Sequence, residues 1–401
     1  MKALIGDLLV DANGVKENPV VLVEGEKIVE VGSKGSLKIP SDAKVIDASS
    51  SVLMPGMIDC HVHFYGSKEP GYARYREPFE TRIIRACMRE ARLLLDAGFT
   101  SVMDTGGQVA LHVRNAINEG LVPGPRIMAA GRHISATAGH GDTPYMPIEW
   151  VKEGRPMGWG MEGRIADGVD ECMRAVRENL RLGVDFIKIC TSGGSGDHPE
   201  IPEYTIEEIK AMTHIAHSWG RRVMTHCYNP EGIRRSVLGG VDIVTHCNLA
   251  DEESIKLMNQ HRTIVVPTMS VYYRMTQRQP DRKPSRIAAN VFDDIKRLYD
   301  AGLTLAVGTD ASGPPAFGEN SLELVLYVEK MGLSSLEAIK IGTLNGAKAM
   351  GMEESLGTIE PGKLADIIAV SVNPLEDIKG LQEKTNIKMV VKGGEVLKDI
   401  L

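Results

Sequence analysis

The chain has 401 residues, of which 43% are hydrophobic and 25% charged, with a formal net charge of −7 at pH 7. That length can bury a large core, and the acidic balance gives no basic footprint for nucleic acid. No apolar run approaches the roughly 20 residues of a membrane span, and Met1-Lys2-Ala3-Leu4-Ile5-Gly6-Asp7 meets an acid too early for a secretory leader. A cytoplasmic protein with no membrane partner is therefore expected.

Residues 19–32 alternate apolar and polar side chains around Glu24-Gly25-Glu26, which predicts a hairpin, and residues from Lys388 repeat the pattern around Gly393-Gly394. Neither hairpin is stable alone. The economical reading joins residues 1–56 and 353–401 in one small β-sandwich domain, with residues 57–352 inserted between. Within the insert, short apolar runs alternate with amphipathic segments. Runs at about 57–63, 100–104, 126–130, 184–190, 222–226, 241–246, 263–267 and 304–309 read as eight strands. Thr205 and Glu208 are spaced as a capping box before Ile209, Met212 and Ile215, which predicts a helix start. Eight strands with intervening helices predict an α/β protein built on a (β/α)8 TIM barrel.

Several of these runs end in side chains that bind metals. Asp59-Cys60-His61-Val62-His63 puts two imidazoles on one face of a strand. Lys188 lies inside the apolar run Asp185-Phe186-Ile187-Lys188-Ile189-Cys190, on the same face as Phe186 and Cys190. A buried unpaired ammonium is costly, and burial favours the neutral amine, which can take up carbon dioxide as a carbamate, an oxygen ligand able to bridge two cations. Later runs end in His226, His246 and Gly308-Thr309-Asp310. Singly, each has an ordinary explanation as a hydrogen-bonded histidine, a turn or a helix cap. Jointly they form the set that a barrel enzyme collects at the C-terminal mouth of its strands.

With Pro55-Gly56-Met57-Ile58-Asp59-Cys60-His61-Val62-His63, the Lys188 strand, His226, His246, Gly308-Thr309-Asp310 and the closing stretch Gly357–Ile368, the chain resembles the amidohydrolase superfamily over essentially its whole length. The resemblance implies that His61, His63 and Asp310 bind one divalent metal ion and His226 and His246 a second, with carboxylated Lys188 bridging them. Zinc is the first metal to consider, with manganese, cobalt or nickel also suited. It implies further that Asp310 carries the proton of the attacking hydroxide to the departing amine. One-metal deaminases of the superfamily usually have a glutamate where this chain has Asn229, and they lack the bridging lysine. The loop Ala136-Thr137-Ala138-Gly139-His140-Gly141-Asp142 and the pair His226-x-Tyr228 resemble the branch of prolidase-like dipeptidases and carboxypeptidases and related amide hydrolases such as ochratoxinase. That likeness implies His140 and Tyr228 as donors to the substrate carbonyl or oxyanion. Thr245-His246-Cys247 departs from the Glu-His-Gly often found around that ligand.

Two segments are long enough to shape a substrate pocket. Residues 131–168 carry Arg132, His133, His140, Tyr145, Trp150 and Arg164 and read as a lid, and residues 64–80 carry Tyr72, Arg74, Tyr75 and Arg76. Any of these arginines suits a substrate carboxylate. His198, after the glycine turn that follows Lys188, is a further candidate to face the site. The six cysteines read as reduced packing residues, with Cys190 alone placed to meet a metal. The expected activity is hydrolysis of an amide bond in a dipeptide or N-acyl amino acid. The alternatives are a cyclic-amide hydrolase or heterocycle aminohydrolase, and a non-catalytic binding relative. The expected partner is the small-molecule substrate, with association between copies of the chain left open.

Overall fold

The computed structural model describes residues 1–69, 71–144, 146–153, 162–194, 198–278, 285–313 and 316–401. Tyr145 and the side chains of Tyr72 and Trp150 fall outside the described residues. The first five strands are β1 (Lys2–Asp11), β2 (Gly14–Glu17), β3 (Pro19–Glu24), β4 (Lys27–Ser33) and β5 (Lys44–Pro55). The central strands are β6 (Met57–Val62), β7 (Phe99–Asp104), β8 (Arg126–Ala129), β9 (His133–Ser135), β10 (Gly163–Ile165), β11 (Ile187–Cys190), β12 (Val223–Cys227), β13 (Ile243–His246) and β14 (Ile264–Val266). The chain closes with β15 (Ile367–Val370), β16 (Ile387–Lys392) and β17 (Glu395–Asp399).

Both expected hairpins form, β3 with β4 and β16 with β17. They belong to one eight-stranded sheet in the order β17-β16-β15-β5-β1-β3-β4, with β2 paired to β1. The sheet curls until its edge meets the chain entering β15. Ile28 N donates to Lys363 O at 2.9 Å, and Ala365 N donates to Glu26 O at 2.8 Å. Leu4, Val21, Ile28, Leu53, Met389 and Val391 fill the concave side as one cluster. A single curled sheet thus buries the apolar face that was expected to lie between two stacked sheets. On the other face, Val52, Met54, Ile368 and Val370 pack into the main core.

The central strands pair in parallel, three in the order β6-β7-β8 and six in the order β10-β9-β11-β12-β13-β14. Seven of the eight expected apolar runs are present as strands, although the run at 184–190 pairs as a strand only from Ile187. The eighth, 304–309, is not a continuous strand. It makes isolated parallel bridges, Val265 with Leu305 and Val62 with Ala311. The reason is geometric, because this segment changes partner along its length. Ala306 N donates to Val265 O at 2.9 Å, and Cys60 N donates to Val307 O at 2.7 Å. Neither neighbour receives a full ladder. Conversely, the segment expected to be a loop, 131–168, holds β9 and β10, which pair with each other, and β9 meets β11 at Ile134 and Ile189. Three-residue strands carry too little alternation to be read from sequence.

The helix Ile206–Ser218 starts at the expected capping box. Thr205 Oγ1 accepts from Glu208 N at 3.3 Å, and Glu208 Oε2 accepts from Thr205 N at 2.9 Å. Its inner face buries Ile209, Met212 and Ala216. Among the described residues, no helix is long and apolar enough to cross a membrane. Replacing Thr205 with Ala removes one arm of the box and is expected to cost about 1 kcal/mol, read as a lower thermal or denaturant midpoint, whereas Thr205→Ser should stay near the parent value.

Candidate active site

Parallel strands all present their C-terminal ends on one side, so the residues that end them converge. A cavity of about 290 Å3 opens there, lined by His61, His63, His140, Lys188, His226, Tyr228, His246 and Asp310 among others. β6 and the residue after it supply His61 and His63, β11 supplies Lys188, β12 supplies His226, and β13 ends at His246. Asp310 follows the segment that bridges β14 and β6, where Gly308 is required by close packing. A Cβ at that position would lie 2.2 Å from Val266 Cγ1 and 2.9 Å from His61 Cβ.

The carboxylate of Asp310 lies 3.1 Å from His63 Nε2 and 3.5 Å from His61 Nε2. The rings of His61 and His246 are 5.3 Å apart, and those of His226 and His246 are 4.6 Å apart. Ligand atoms of His61, His246 and Asp310 lie within 4.8 Å of one another. Burial holds His61 and His226 well below the usual imidazole range and pushes His246 down to about 3, so these rings are neutral, with lone pairs to offer. Burial works to raise Asp310, but the hydrogen bond and charge of His63 outweigh it and keep the carboxyl below its ordinary value. Lys188 is lowered to about 8 by burial, and its Nζ donates to Thr245 Oγ1 at 3.3 Å. The Nδ1 atom of His61 is buried without a hydrogen-bond partner among the described residues. This donor set fits divalent metal ions: neutral imidazoles, a carboxylate held ionised and a buried amine.

His140 stacks on His226 with ring centres 4.0 Å apart and planes at 7°. Its loop is pinned by Glu203, which accepts from His140 N at 2.7 Å and from Ser135 Oγ at 2.6 Å. Tyr228 stacks on His246 at 4.8 Å. Both therefore stand against the imidazoles that would hold a metal, on the side facing the cavity. Asn229, by contrast, is spent on structure. Its side chain caps the helix Pro230–Leu238 by accepting from Gly232 N at 2.6 Å, and it donates to Pro199 O at 2.8 Å.

Residues 52–397 match the model of the amidohydrolase family. The chain belongs to that family. It is 34% identical to ochratoxinase of Aspergillus niger over 98% of this chain and 85% of the relative. The crystal structure of A. niger ochratoxinase superposes with a TM-score of 0.91 at 32% identity, covering 100% of this chain and 96% of that one. A Xaa-Pro dipeptidase with bound methionine in its active site superposes with a TM-score of 0.85 at 30% identity, covering 99% of each chain. The chain is thus a hydrolase of the amidohydrolase superfamily.

Glu162, in this amidohydrolase's cavity, carried no sequence signal. Glu162 is buried on the wall and bound by Arg74, whose Nε donates to it at 2.8 Å and whose NH2 also pairs with it. The Arg74 guanidinium lies over the Tyr65 ring at 4.1 Å. Tyr65 was readable in principle, since it continues the alternation of His61 and His63. Among the candidate arginines, Arg74 lines the cavity. Arg132 instead donates from Nε to Gly163 O at 2.9 Å, Arg164 pairs with Glu178, and Arg76 is exposed. His198 does not face the site. It is exposed and pairs with Glu200 at 3.4 Å. All six cysteines are buried free thiols. Cys190 lines the cavity beside Lys188, but burial pushes its thiol well above the ordinary range.

Behind His246, the fully buried Glu323 accepts from Met269 N at 2.8 Å and Ser270 N at 2.7 Å, anchoring the start of the helix Met269–Arg278. Burial raises Glu323 from 4.5 to about 7. A carboxyl whose folded value is raised contributes stability that is full below the unfolded value and is lost as pH rises through the folded one. Between pH 4.5 and 7 the parent should therefore lose stability relative to Glu323→Gln. Parallel melting-temperature profiles for the two proteins across that window would contradict the assignment.

Proposed function

We propose that this protein is a two-metal amide hydrolase acting on a dipeptide or N-acyl amino acid with a free carboxylate. The observation that carries the reading is the convergence of His61, His63, Lys188, His226, His246 and Asp310 on one cavity. The proposed frame is a (β/α)8 barrel of residues 57–352, with residues 1–56 and 353–401 as a separate β domain. In its support, Asp185 N donates to Ala129 O at 2.9 Å on one side, and the bridges of Leu305 and Ala311 join the two parallel sheets on the other.

In this reading His61, His63 and Asp310 hold one divalent ion, zinc first, and His226 and His246 hold the other. Lys188, whose amine burial lowers to about 8 and so brings closer to its neutral form, would take up carbon dioxide as a carbamate, releasing one proton, and the carbamate oxygens would serve as further metal ligands. When bound, the ions supply Lewis acidity to the amide carbonyl and lower the pKa of water. Asp310 accepts a proton from the attacking water and returns it to the departing amine nitrogen. His140 and Tyr228 donate hydrogen bonds to the carbonyl oxygen as charge develops on it. The wall of Tyr65, Arg74 and Glu162 limits the substrate's distal part. The cytoplasm is the proposed setting, and six reduced thiols suit it.

Incubation of the metal-loaded protein with a mixed library of dipeptides and N-acyl amino acids, followed by mass spectrometry, should reveal paired amine and carboxylate products. Turnover of none of them would reject the reading, and ammonia release from heterocycles without peptide cleavage would favour the aminohydrolase alternative. Asp310→Asn should reduce turnover by roughly 10²–10⁴-fold with metal retained. Lys188→Ala should lower bound metal per chain, measured by elemental analysis; undiminished metal with full activity would remove Lys188 from the site.

A further inference from the structure

Behind His246 and Tyr228 lies a layer of hydroxyls with no part in the chemistry above. Tyr272, in the first turn of the helix Met269–Arg278, is buried and is not among the residues lining the cavity. Its hydroxyl donates to the Tyr228 hydroxyl at 2.7 Å and lies 3.4 Å from His246 Nδ1. Thr268 Oγ1 is 2.7 Å from the same Nδ1 and also hydrogen-bonds the Tyr272 phenol. One phenol is thus connected to a proposed metal ligand and to a proposed oxyanion donor.

Counting protons gives this chain of hydroxyls a direction. A neutral imidazole that turns its Nε2 lone pair into the cavity carries its proton on Nδ1. That N–H donates to Thr268 Oγ1, and the Thr268 proton is then available to the Tyr272 oxygen. Tyr272 has one proton, and it is spent on the Tyr228 oxygen. Tyr228, accepting from Tyr272, does not donate to it. Were the chain reversed, Tyr228 would spend its own proton on Tyr272 instead.

We propose that Tyr272 is a positioning residue that fixes the direction of the Tyr228 hydroxyl, commits its proton to the substrate's carbonyl oxygen, and ties that donor to the tautomer of His246. The proposal rests on the reading of Tyr228 as a donor to that oxygen. Accepting a hydrogen bond also polarises a hydroxyl and strengthens it as a donor, so the effect of Tyr272 grows with the charge on the oxygen. It should act on the transition state and leave ground-state binding alone.

Tyr272→Phe keeps the ring and deletes the hydroxyl. The probes are the library substrate with the highest turnover and its phosphonate counterpart, whose tetrahedral phosphorus carries charged oxygens. The expected result is a fall in kcat of about tenfold, the scale of one hydrogen bond, with KM and metal content unchanged. Phosphonate affinity should weaken by the same factor. Tyr228→Phe should lose at least as much, and the double variant should lose no more than Tyr228→Phe alone. An active Tyr272→Phe beside an impaired Tyr228→Phe would overturn the inference and leave the role of Tyr228 standing. A fully active Tyr228→Phe would overturn that role, and the inference with it. Loss of metal in Tyr272→Phe, or multiplied losses in the double variant, would show that Tyr272 acts through His246 or the fold, and would also overturn it.

Discussion

A single carboxylate beneath the cavity floor holds the two halves of the site in register. Asp59 Oδ1 accepts from His61 N at 3.0 Å and Thr309 N at 3.1 Å, and Oδ2 accepts from Thr309 Oγ1 at 2.6 Å and Asn320 Nδ2 at 2.7 Å. It joins the His61-x-His63 pair to the residue preceding Asp310 across 250 positions of sequence. The segment around 304–311 has only isolated bridges, so the carboxylate supplies the fixation that a continuous ladder would otherwise give. Burial pushes Asp59 up to about 6, with its four donors opposing the rise. Without an acceptor there, each buried donor would be left unsatisfied at a cost of about 1–3 kcal/mol.

The same geometry explains what was legible in the sequence. His61, His63, Lys188, His226, His246 and Asp310 stood out because each ends or punctuates an apolar run, and parallel strands carry such ends to one place. The Thr205 box and both terminal hairpins were readable because their partners lie within a few residues. Glu162, Tyr272 and the divided loyalty of 304–311 were not. Glu162 meets Arg74 across 88 positions and Tyr272 meets Tyr228 across 44, pairings that exist only once the helices and loops have packed. His198 failed for the converse reason: nearness to Lys188 in sequence did not bring its exposed side chain into the cavity.

Backbone conformation adds a second kind of constraint at the cavity mouth. His246, Cys247, Thr268 and Asp310 have φ of 72°, 62°, 58° and 51°, the left-handed region that favours glycine. Each such residue costs on the order of 1–3 kcal/mol, held in place by surrounding contacts. Thr268 engages His246 Nδ1, and Asp310 N donates to His61 O at 2.8 Å. Of the four, His246 and Asp310 line the cavity. Gly66 marks a related limit beside Tyr65, because a Cβ there would lie 1.9 Å from Arg82 O.

The terminal sheet bears on how the chain is made. β5 pairs with β1 on one side and with β15 on the other, so Pro55 finds its partner only at Ile367. At a synthesis rate of about 5–20 residues per second, the wait is on the order of 15–60 s. Throughout it, the side of β5 from Val52 to Pro55 that will face β15 has no strand beside it, and an open edge of that kind invites pairing with another chain. The strands that line the cavity can therefore be complete while the sheet built from both chain ends is still half-built. The nascent protein's vulnerable surface is then the seam between its two ends.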